Sequence, residues 1–262
     1  EAFEIARTGR PGPVLIDIPK DITAAFADFI PVSERVAAPS AAVRRCARKI
    51  PFPTDAELDR VSAMISASKR PFIYAGGGIV SAEACPELAL FAERINAPVS
   101  VSLMGKTAFP SRHPLCTGMI GMHGTKASNS GANQCDLLIA IGARFSDRVI
   151  SDPSRFARES AILQIDIDPA EINKNIRTAA SLTGNVKDVL AALARRISER
   201  KRDGWNAKID EYKSHIPAMY SKKTSLHPKF VLEAVHEALG DDTIITTEVG
   251  QHQMWVAQFY PF

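Results

Sequence analysis

Four short segments of the chain combine glycine with side chains that suit a phosphate, a sugar hydroxyl or a flat ring. They are residues 76–78, 118–125, 142–148 and 166–169. Glycine lets a backbone approach a ligand closely, and arginine can clamp a diphosphate through charge-assisted hydrogen bonds. An acidic side chain after a late strand commonly accepts hydrogen bonds from ribose or ribityl hydroxyls. Together the four segments predict a nucleotide-like cofactor, a prediction that none of them supports alone.

The first two segments each have an alternative interpretation. The triplet 76–78 is not a G-x-G-x-x-G pattern, and glycine after a strand often forms only a turn. In segment 118–125, Met122 could contact a flat aromatic ligand through its polarizable sulfur, with His123 as a polar contact. A glycine-rich surface loop explains the same composition equally well.

The other two segments carry charge. Arg144 and Arg148 could bind a diphosphate or a carboxylate, whereas Asp147 could neutralise one of them in a structural ion pair. We assign Asp166 to the ligand. Asp168 precedes a proline, which is typical of a helix N-cap, so we expect it mainly to cap.

The segments follow apolar runs that alternate with helical patterns. Strands are predicted at residues 71–75, 98–103, 136–141 and 161–167, and helices at 54–70, 82–95, 170–176 and 186–197. Thr54 and Glu57 form a capping box at the start of the first of these helices. Strands separated by helices indicate βαβ units, and strands buried on both faces read as continuous apolar runs. We therefore predict an α/β domain whose parallel sheet carries the four segments at its carboxyl edge.

Composition divides the chain into five parts. Residues 1–32 contain a short helix and a predicted buried strand at 14–18, and residues 33–53 are typical of a linker. Residues 54–197 form the α/β domain, and residues 198–225 a second, charged linker. Residues 226–262 begin a third domain with a helix at 227–239 and a strand at 243–247. The chain starts within a helical pattern and stops on an aromatic stretch, so we expect both ends to be cut.

Several function classes are disfavoured by the sequence. A formal charge of +3 with interspersed signs and an aromatic content of 7% argue against nucleic-acid binding. No apolar run approaches the roughly 18 residues of a membrane helix. Cys46, Cys85, Cys116 and Cys135 are scattered without metal-ligand spacing, which predicts reduced thiols in an intracellular protein and no metal site. Motifs for phosphoryl transfer, serine hydrolysis and zinc proteolysis are absent.

Five segments of the chain resemble a known family. GRPGPVLIDIPKDI, GMHGT, GARFSDR, QIDIDPAEI and EVGQHQMWVAQFY occur in the same order in the large catalytic subunit of acetolactate (acetohydroxyacid) synthase, a thiamine-diphosphate-dependent enzyme. The resemblance runs from the first residue to the last. Pyruvate oxidase, glyoxylate carboligase and benzoylformate decarboxylase share the three-domain plan, but GQHQMW favours acetolactate synthase.

The resemblance implies a fold and a reaction. Residues 54–197 would be a Rossmann-like (DHS-like NAD/FAD-binding) domain that holds FAD structurally. Residues 1–32 would be the C-terminal remnant of the pyrimidine-binding domain, and residues 226–262 the start of the diphosphate-binding domain. The parent enzyme would use thiamine diphosphate and Mg²⁺ to decarboxylate pyruvate and join it to a second 2-ketoacid such as 2-ketobutyrate, in valine, leucine and isoleucine biosynthesis. It would be a homodimer or homotetramer in a bacterial-like cytoplasm or an organelle, with a possible small regulatory subunit and neither nucleic-acid nor membrane partners.

The resemblance also implies site residues. Those expected to contact FAD are Arg10, Gly77, Gly78, Ser102, Leu103, Gly121, Met122, His123, Gly142, Ala143, Arg144, Ser146, Asp166, Ile167, Asn185 and Val186. Those expected near the thiamine diphosphate phosphates are Val249, Gly250, Gln251 and His252. Lys20, Asp147 and Arg148 are expected near the substrate channel. The family usually has aspartate where Ser146 and Asn185 stand, so each of these residues removes a charge from the expected flavin site.

The expected catalytic groups lie outside this chain. In the family, the glutamate that activates the thiamine aminopyrimidine precedes Glu1, and the G-D-G…N segment that binds Mg²⁺ follows Phe262. We therefore assign no catalytic residue and predict that the isolated chain is inactive. The alternatives are a thiamine-diphosphate enzyme of the glyoxylate carboligase or pyruvate oxidase type, a stand-alone NAD- or FAD-binding module, and a structural domain with an empty pocket.

Overall fold

The computed structural model describes residues 2–7, 10–28, 31, 50–215 and 226–262. The chain divides into two units, Glu1–Pro51 and Phe52–Phe262, and each is described by itself. The first unit contains helices α1 (Ala2–Arg7) and α2 (Lys20–Ala24), and residues 11–19 before α2 form no regular secondary structure. The strand predicted at 14–18 is wrong, because no described residue pairs with it, and Leu15 within it is 90% exposed.

The second unit contains a sheet with helices between its strands. The strands are β1 (Pro71–Ala75), β2 (Val99–Val101), β3 (Cys116–Met119), β4 (Leu137–Ile141), β5 (Ala161–Asp166) and β6 (Ala180–Thr183). The helices are α3 (Asp55–Ala67), α4 (Gly77–Ser81), α5 (Cys85–Ile95), α6 (Lys126–Gln134), α7 (Asp147–Ile150), α8 (Val186–Arg196), α9 (Asp203–Ser214), α10 (Pro228–Leu239) and α11 (Gln251–Phe259). Short 3-10 turns follow β2 and β5, at Leu103–Gly105 and Pro169–Glu171.

The six strands run parallel in the order β3-β2-β1-β4-β5-β6. The chain builds outward from β1 to β3, returns to the centre, and builds outward on the other side from β4 to β6. In open parallel sheets, a reversal of this kind leaves a crevice at the carboxyl ends of the two central strands. The predicted α/β class with a parallel sheet is confirmed.

Each face of the sheet is covered by its own set of helices. On one face, α3, α5 and α8 bury Val61, Phe91 and Leu190 in one cluster with the inward residues of β1, β4 and β5. On the other face, Trp205 of α9 lies in a second cluster with Phe72 of β1. Successive strand residues point to opposite faces, so the central strands are buried on both sides and read as continuous apolar runs.

Hydrogen bonds confirm two of the predicted helix caps. Thr54 Oγ1 accepts from the backbone N–H of Glu57 at 3.3 Å, and the Glu57 carboxylate accepts from Thr54 N at 2.8 Å. The Asp168 carboxylate accepts from Ala170 N at 3.0 Å, at the start of the 3-10 turn after β5. Both caps follow from side-chain oxygens that satisfy N–H groups left free at a helix start.

Two predicted helices differ from the structure. The helix predicted at 82–95 is present as α5 but begins only at Cys85, because Glu83 has a φ of 51° and separates it from the short α4. The helix predicted at 170–176 does not extend beyond Pro169–Glu171, and Asn173 in that stretch has a φ of 60°. Left-handed backbone at a non-glycine residue breaks the regular helical hydrogen bonds.

The last third of the chain also differs from the structure predicted from its sequence. Residues 243–247 form no strand, since no described strand lies beside them to complete a ladder. The range 198–225 contains a helix, α9, that the sequence analysis did not predict. Its Trp205 is 6% exposed and Ile209 is 1% exposed, and the helix packs against α6. This segment therefore contributes to the core of the second unit.

Candidate functional site

The loops that follow the six strands lie in a row along the carboxyl edge of the sheet. Because the strands are parallel, the loops occur in strand order, from the loop after β3 to the loop after β6. Neighbouring strands are spaced by about 4.8 Å, so the row extends over about 24 Å. The four segments that the sequence analysis singled out all lie on this edge, after β1, β3, β4 and β5.

Glycine is required where the loops after β1 and β4 meet. The backbone N–H of Gly78 donates to the carbonyl of Gly142 at 3.1 Å. A Cβ on Gly76 would lie 2.0 Å from the Gly142 oxygen, and Gly142 itself has a φ of +56°. The triplet 76–78 therefore allows the two central loops to pack backbone against backbone at the point where the strand order reverses.

Exposed apolar side chains lie at the β2–β3 end of the edge. Leu103 is 40% exposed, Met104 is 77% exposed and Met122 is 58% exposed. A Cβ on Gly77 would lie 3.1 Å from the Met104 Cβ, so the loop after β1 adjoins this group of side chains. Large apolar side chains exposed near one another are typical of a surface that contacts a ligand or a partner.

The loop after β3 is held by side chains that come from elsewhere in the chain. Gly121 has a φ of 105°, and its N–H donates to Asn129 Oδ1 at 2.9 Å. Its carbonyl accepts from Asn129 Nδ2 at 3.0 Å. The carbonyl of His123 accepts from Gln258 Nε2 at 2.9 Å. The backbone is thus fixed on two sides, while the side chains of Met122 and His123 are exposed.

A cationic side chain stands near the middle of the edge. Arg144 follows β4 and is exposed, and its backbone carbonyl accepts from Asn175 Nδ2 at 3.0 Å. Burial raises the pKa of the Tyr74 hydroxyl on neighbouring β1, and the Arg144 guanidinium acts in the opposite direction. An exposed guanidinium on a fixed backbone can form paired hydrogen bonds with a diphosphate.

A carboxylate occupies the next position along the edge. Asp166 ends β5 and is 6% exposed, and its Oδ1 accepts from Asp168 N at 3.0 Å. The Asp166 carbonyl accepts from Gly184 N at 3.0 Å, which joins the loops after β5 and β6. Asn185 begins α8 and caps it by accepting from Lys187 N at 2.9 Å. A carboxylate oriented in this way can accept hydrogen bonds from sugar hydroxyls.

The other predicted residues fall into three places. On the edge, the hydroxyl of Ser102 accepts from Gly105 N at 3.0 Å, and the remaining edge residues are Ala143, Ser146, Ile167 and Val186. Asp147 and Arg148 begin α7 and form an exposed ion pair at 3.9 Å, so the predicted structural pairing involves Arg148. Val249, Gly250, Gln251 and His252 lie at the start of α11, while Arg10 and Lys20 lie in the first unit.

Three side chains that hold these loops were not predicted from the sequence. Asn129, Asn175 and Gln258 each donate an amide N–H to a loop carbonyl, from positions 8, 31 and 135 residues away.

The described ranges contain no group of three side chains arranged to hold a metal ion. Within the same ranges, no helix combines the length and the apolar character needed to cross a membrane.

The order of the parallel strands, with its reversal at the centre, defines a doubly wound α/β type of domain. Residues 58–193 match the family described as the thiamine pyrophosphate enzyme central domain. The chain belongs to this family.

Similar proteins include acetolactate synthase large subunits. The chain is 42% identical to a probable acetolactate synthase large subunit of Methanocaldococcus jannaschii, over 99% of this chain and 45% of the relative. It is 38% identical to the acetolactate synthase isozyme 1 large subunit of Escherichia coli, over 100% of this chain and 45% of the relative. It is 39% identical to acetolactate synthase 1, chloroplastic, of Zea mays, over 100% of this chain and 41% of the relative. The chain therefore spans less than half the length of these relatives.

Proposed function

We propose that this chain is the flavin-binding middle part, with its flanks, of an acetolactate synthase large subunit. The whole protein would decarboxylate pyruvate and join the product to a second 2-ketoacid, pyruvate or 2-ketobutyrate, for branched-chain amino-acid synthesis. The names of the relatives support this activity. Their similarity extends beyond residues 58–193 on both sides, which supports a multidomain enzyme over a stand-alone nucleotide-binding module.

The order of side-chain chemistry along the carboxyl edge carries the flavin proposal. Exposed apolar side chains lie at the β2–β3 end, the Arg144 guanidinium follows β4, and the Asp166 carboxylate follows β5. FAD presents matching groups in the same order: a flat ring, a diphosphate and the adenosine ribose. The strands β3 and β4 are three spacings apart, about 14 Å, whereas β4 and β5 are adjacent at about 5 Å. The ring would thus lie well apart from the ribose, as an extended FAD requires.

The two departures from the family pattern both stand at helix N-cap positions. Ser146 is at the N-cap position of α7 without a capping hydrogen bond from its side chain, whereas Asn185 caps α8 by accepting from Lys187 N. Serine and asparagine cap helices about as well as aspartate. The helix starts beside the proposed flavin site are therefore compatible with the neutral residues, and we propose that the site still accepts FAD.

The remaining cofactors belong to the whole enzyme. We propose that residues 249–252, at the start of α11, contact the phosphates of thiamine diphosphate there. Thiamine diphosphate supplies the carbanion chemistry when bound. Mg²⁺, the activating glutamate, a dimeric or tetrameric assembly and a small regulatory subunit are likewise proposed for the whole protein. The 262-residue chain alone should make no acetolactate when pyruvate and all cofactors are added.

The experiment is retention of FAD by the purified chain. The chain is mixed with FAD or NAD, passed through a gel-filtration column, and assayed for visible flavin absorption or for bound NAD. We expect retained FAD, with weaker retention in Asp166→Ala and Arg144→Gln. The control for Asp166→Ala is Asp168→Asn, because asparagine can still cap the 3-10 turn after β5. The control for Arg144→Gln is Arg158→Gln, which changes an exposed arginine. Preferential retention of NAD would instead favour a nucleotide-binding module of another class.

A further inference from the structure

We propose that Gln258 is a positioning residue that couples α11 to the flavin-contact loop, residues 119–125. The proposal rests on the proposed function, which assigns the flavin ring to this loop and thiamine diphosphate to the first turn of α11. Gln258 lies in the last turn of α11, and its Nε2 donates to the carbonyl of His123 at 2.9 Å. One hydrogen bond therefore joins the helix that begins at the thiamine motif to the loop that would hold the flavin.

The flavin-contact loop is held differently on its two sides. Toward the sheet, Asn129 binds both backbone groups of Gly121, and Thr125 N donates to the Met119 carbonyl at 2.8 Å. These anchors come from residues 116–134, and on the α7 side Met122 N donates to the carbonyl of Arg148 at 2.9 Å. In the outer turn, residues 122–124, the side chains of Met122 and His123 are exposed, and the carbonyl of His123 is held by Gln258 from α11.

Helix α11 is attached to the rest of the second unit by other contacts. Ser111 N and Ser111 Oγ lie 3.0 Å and 2.9 Å from the carbonyl oxygen of Phe262, just after α11. Lys106 Nζ lies 5.6 Å from the centre of the Phe262 ring. On the preceding helix, Arg112 Nη2 lies 2.7 Å from His236 Nε2. Loss of the Gln258 amide should therefore leave α11 docked and loosen only the part of the loop around His123, since Met122 N is still bound to the Arg148 carbonyl.

These contacts predict that FAD binding to the loop and the order of α11 are coupled. FAD that orders the outer turn of the loop should also reduce the motion of α11, because the Gln258–His123 hydrogen bond joins the two. By the same linkage, an ordered α11 should favour the loop conformation that binds FAD. Gln258→Glu keeps the size of the side chain, removes the N–H donor and places a carboxylate oxygen against the His123 carbonyl. We expect FAD affinity to fall by about 3- to 10-fold, the range for loss of one hydrogen bond.

The test combines two measurements on the purified 262-residue chain. FAD affinity is measured from flavin fluorescence, and backbone hydrogen exchange of residues 251–259 is followed with and without FAD. In the wild type, FAD should slow exchange in α11. In Gln258→Glu and Gln258→Leu, affinity should fall and this slowing should disappear, with the thermal midpoint of the free protein nearly unchanged.

Gln253→Glu is the matched control, because five residues place Gln253 about 140° around the helix from Gln258. It should bind FAD as the wild type does and keep the slowed exchange. Unchanged affinity and persistent slowing in Gln258→Glu would overturn the coupling but leave the proposed flavin site standing. A wild-type chain that binds no FAD would overturn the proposed flavin site and the coupling together.

Discussion

Gly78 and Gly142 meet backbone to backbone where the strand order reverses. Gly78 N donates to the Gly142 carbonyl at 3.1 Å, and a Cβ on Gly142 would lie 2.8 Å from the Gly78 Cα. This contact brings the loops after β1 and β4 together at the centre of the carboxyl edge. The exposed apolar side chains lie on one side of this contact, and the loops that carry Arg144 and Asp166 lie on the other.

Gly142→Ala should therefore destabilise the protein by about 2 to 4 kcal/mol, because the left-handed backbone and the steric clash add together. Urea unfolding at neutral pH would measure the loss. The control is Gly204→Ala in α9, where a Cβ meets nothing within 4 Å. That change should be neutral or slightly stabilising, since alanine favours helix over glycine. Equal stability of the two variants would contradict the packing argument.

Asp136 links the end of α3 to the start of β4. Its carboxylate accepts from Ser68 Oγ, from Lys69 N at 2.8 Å and from Arg70 N at 3.0 Å. Burial acts to raise the pKa of this carboxyl, but the hydrogen bonds outweigh it, so the pKa lies below the ordinary value of 3.8. The ionised form is thus favoured in the folded state, and its stabilisation is present above about pH 4 and lost as pH falls through the folded pKa.

Asp136→Asn should consequently cost about 1 kcal/mol near pH 7, a value reduced by the partial exposure of the group. The difference from the wild type should shrink as the pH falls below about 4. Chemical denaturation at several pH values would measure it. Asp242→Asn, at an exposed carboxylate, should show no such pH-dependent difference. A difference that stays constant down to acid pH would contradict the assignment.

Arg202 joins the ends of two helices. It is 8% exposed, and its guanidinium donates to the carbonyls of Ile65 at 3.1 Å and Ser68 at 3.2 Å at the end of α3, and to the carbonyl of Ile95 at the end of α5. Arg202→Met should cost roughly 3 kcal/mol, because it leaves these buried carbonyls without a donor. Thermal unfolding measures the effect, and Arg200→Met, at an exposed arginine, should change stability by less than about 0.5 kcal/mol.

Cys135 should be chemically inert in the folded protein. Its side chain is 1% exposed, and burial raises the pKa of the thiol to about 12, with a hydrogen bond to Ser160 acting in the opposite direction. The reactive thiolate is therefore scarce at pH 8. Peptide mass spectrometry after iodoacetamide treatment should find Cys135 unmodified in native protein and modified after denaturation. Rapid native labelling of Cys135 would show that this core opens readily.

The central strands could be predicted from the sequence, and the outer strands could not. β1, β4 and β5 are buried on both faces, so their sequences are continuous apolar runs. The edge strands β3 (CTGM) and β6 (ASLT) each have one neighbour, and only alternate residues are buried. Short strands of this kind have little local signal, because their pairing depends on residues far away in sequence.

Site residues could be predicted where they follow an apolar run, and could not be predicted where their contacts come from residues far away in sequence. Glycine, arginine and aspartate directly after an apolar run indicate a strand end and its loop, which is how Gly142, Arg144 and Asp166 were found. Gln258 lies 135 residues from the carbonyl that it holds, so nothing in its own neighbourhood marks it. The apolar end of the edge was only partly predicted, since Met104 is conspicuous through its 77% exposure and not through a motif.

The most direct test of the account is a crystal structure of the chain grown with FAD. We predict that the isoalloxazine ring lies against Leu103, Met104 and Met122, that the diphosphate meets Arg144, and that a ribose hydroxyl donates to Asp166. A flavin bound away from the carboxyl edge, or with its ring at the β5–β6 end, would contradict the account.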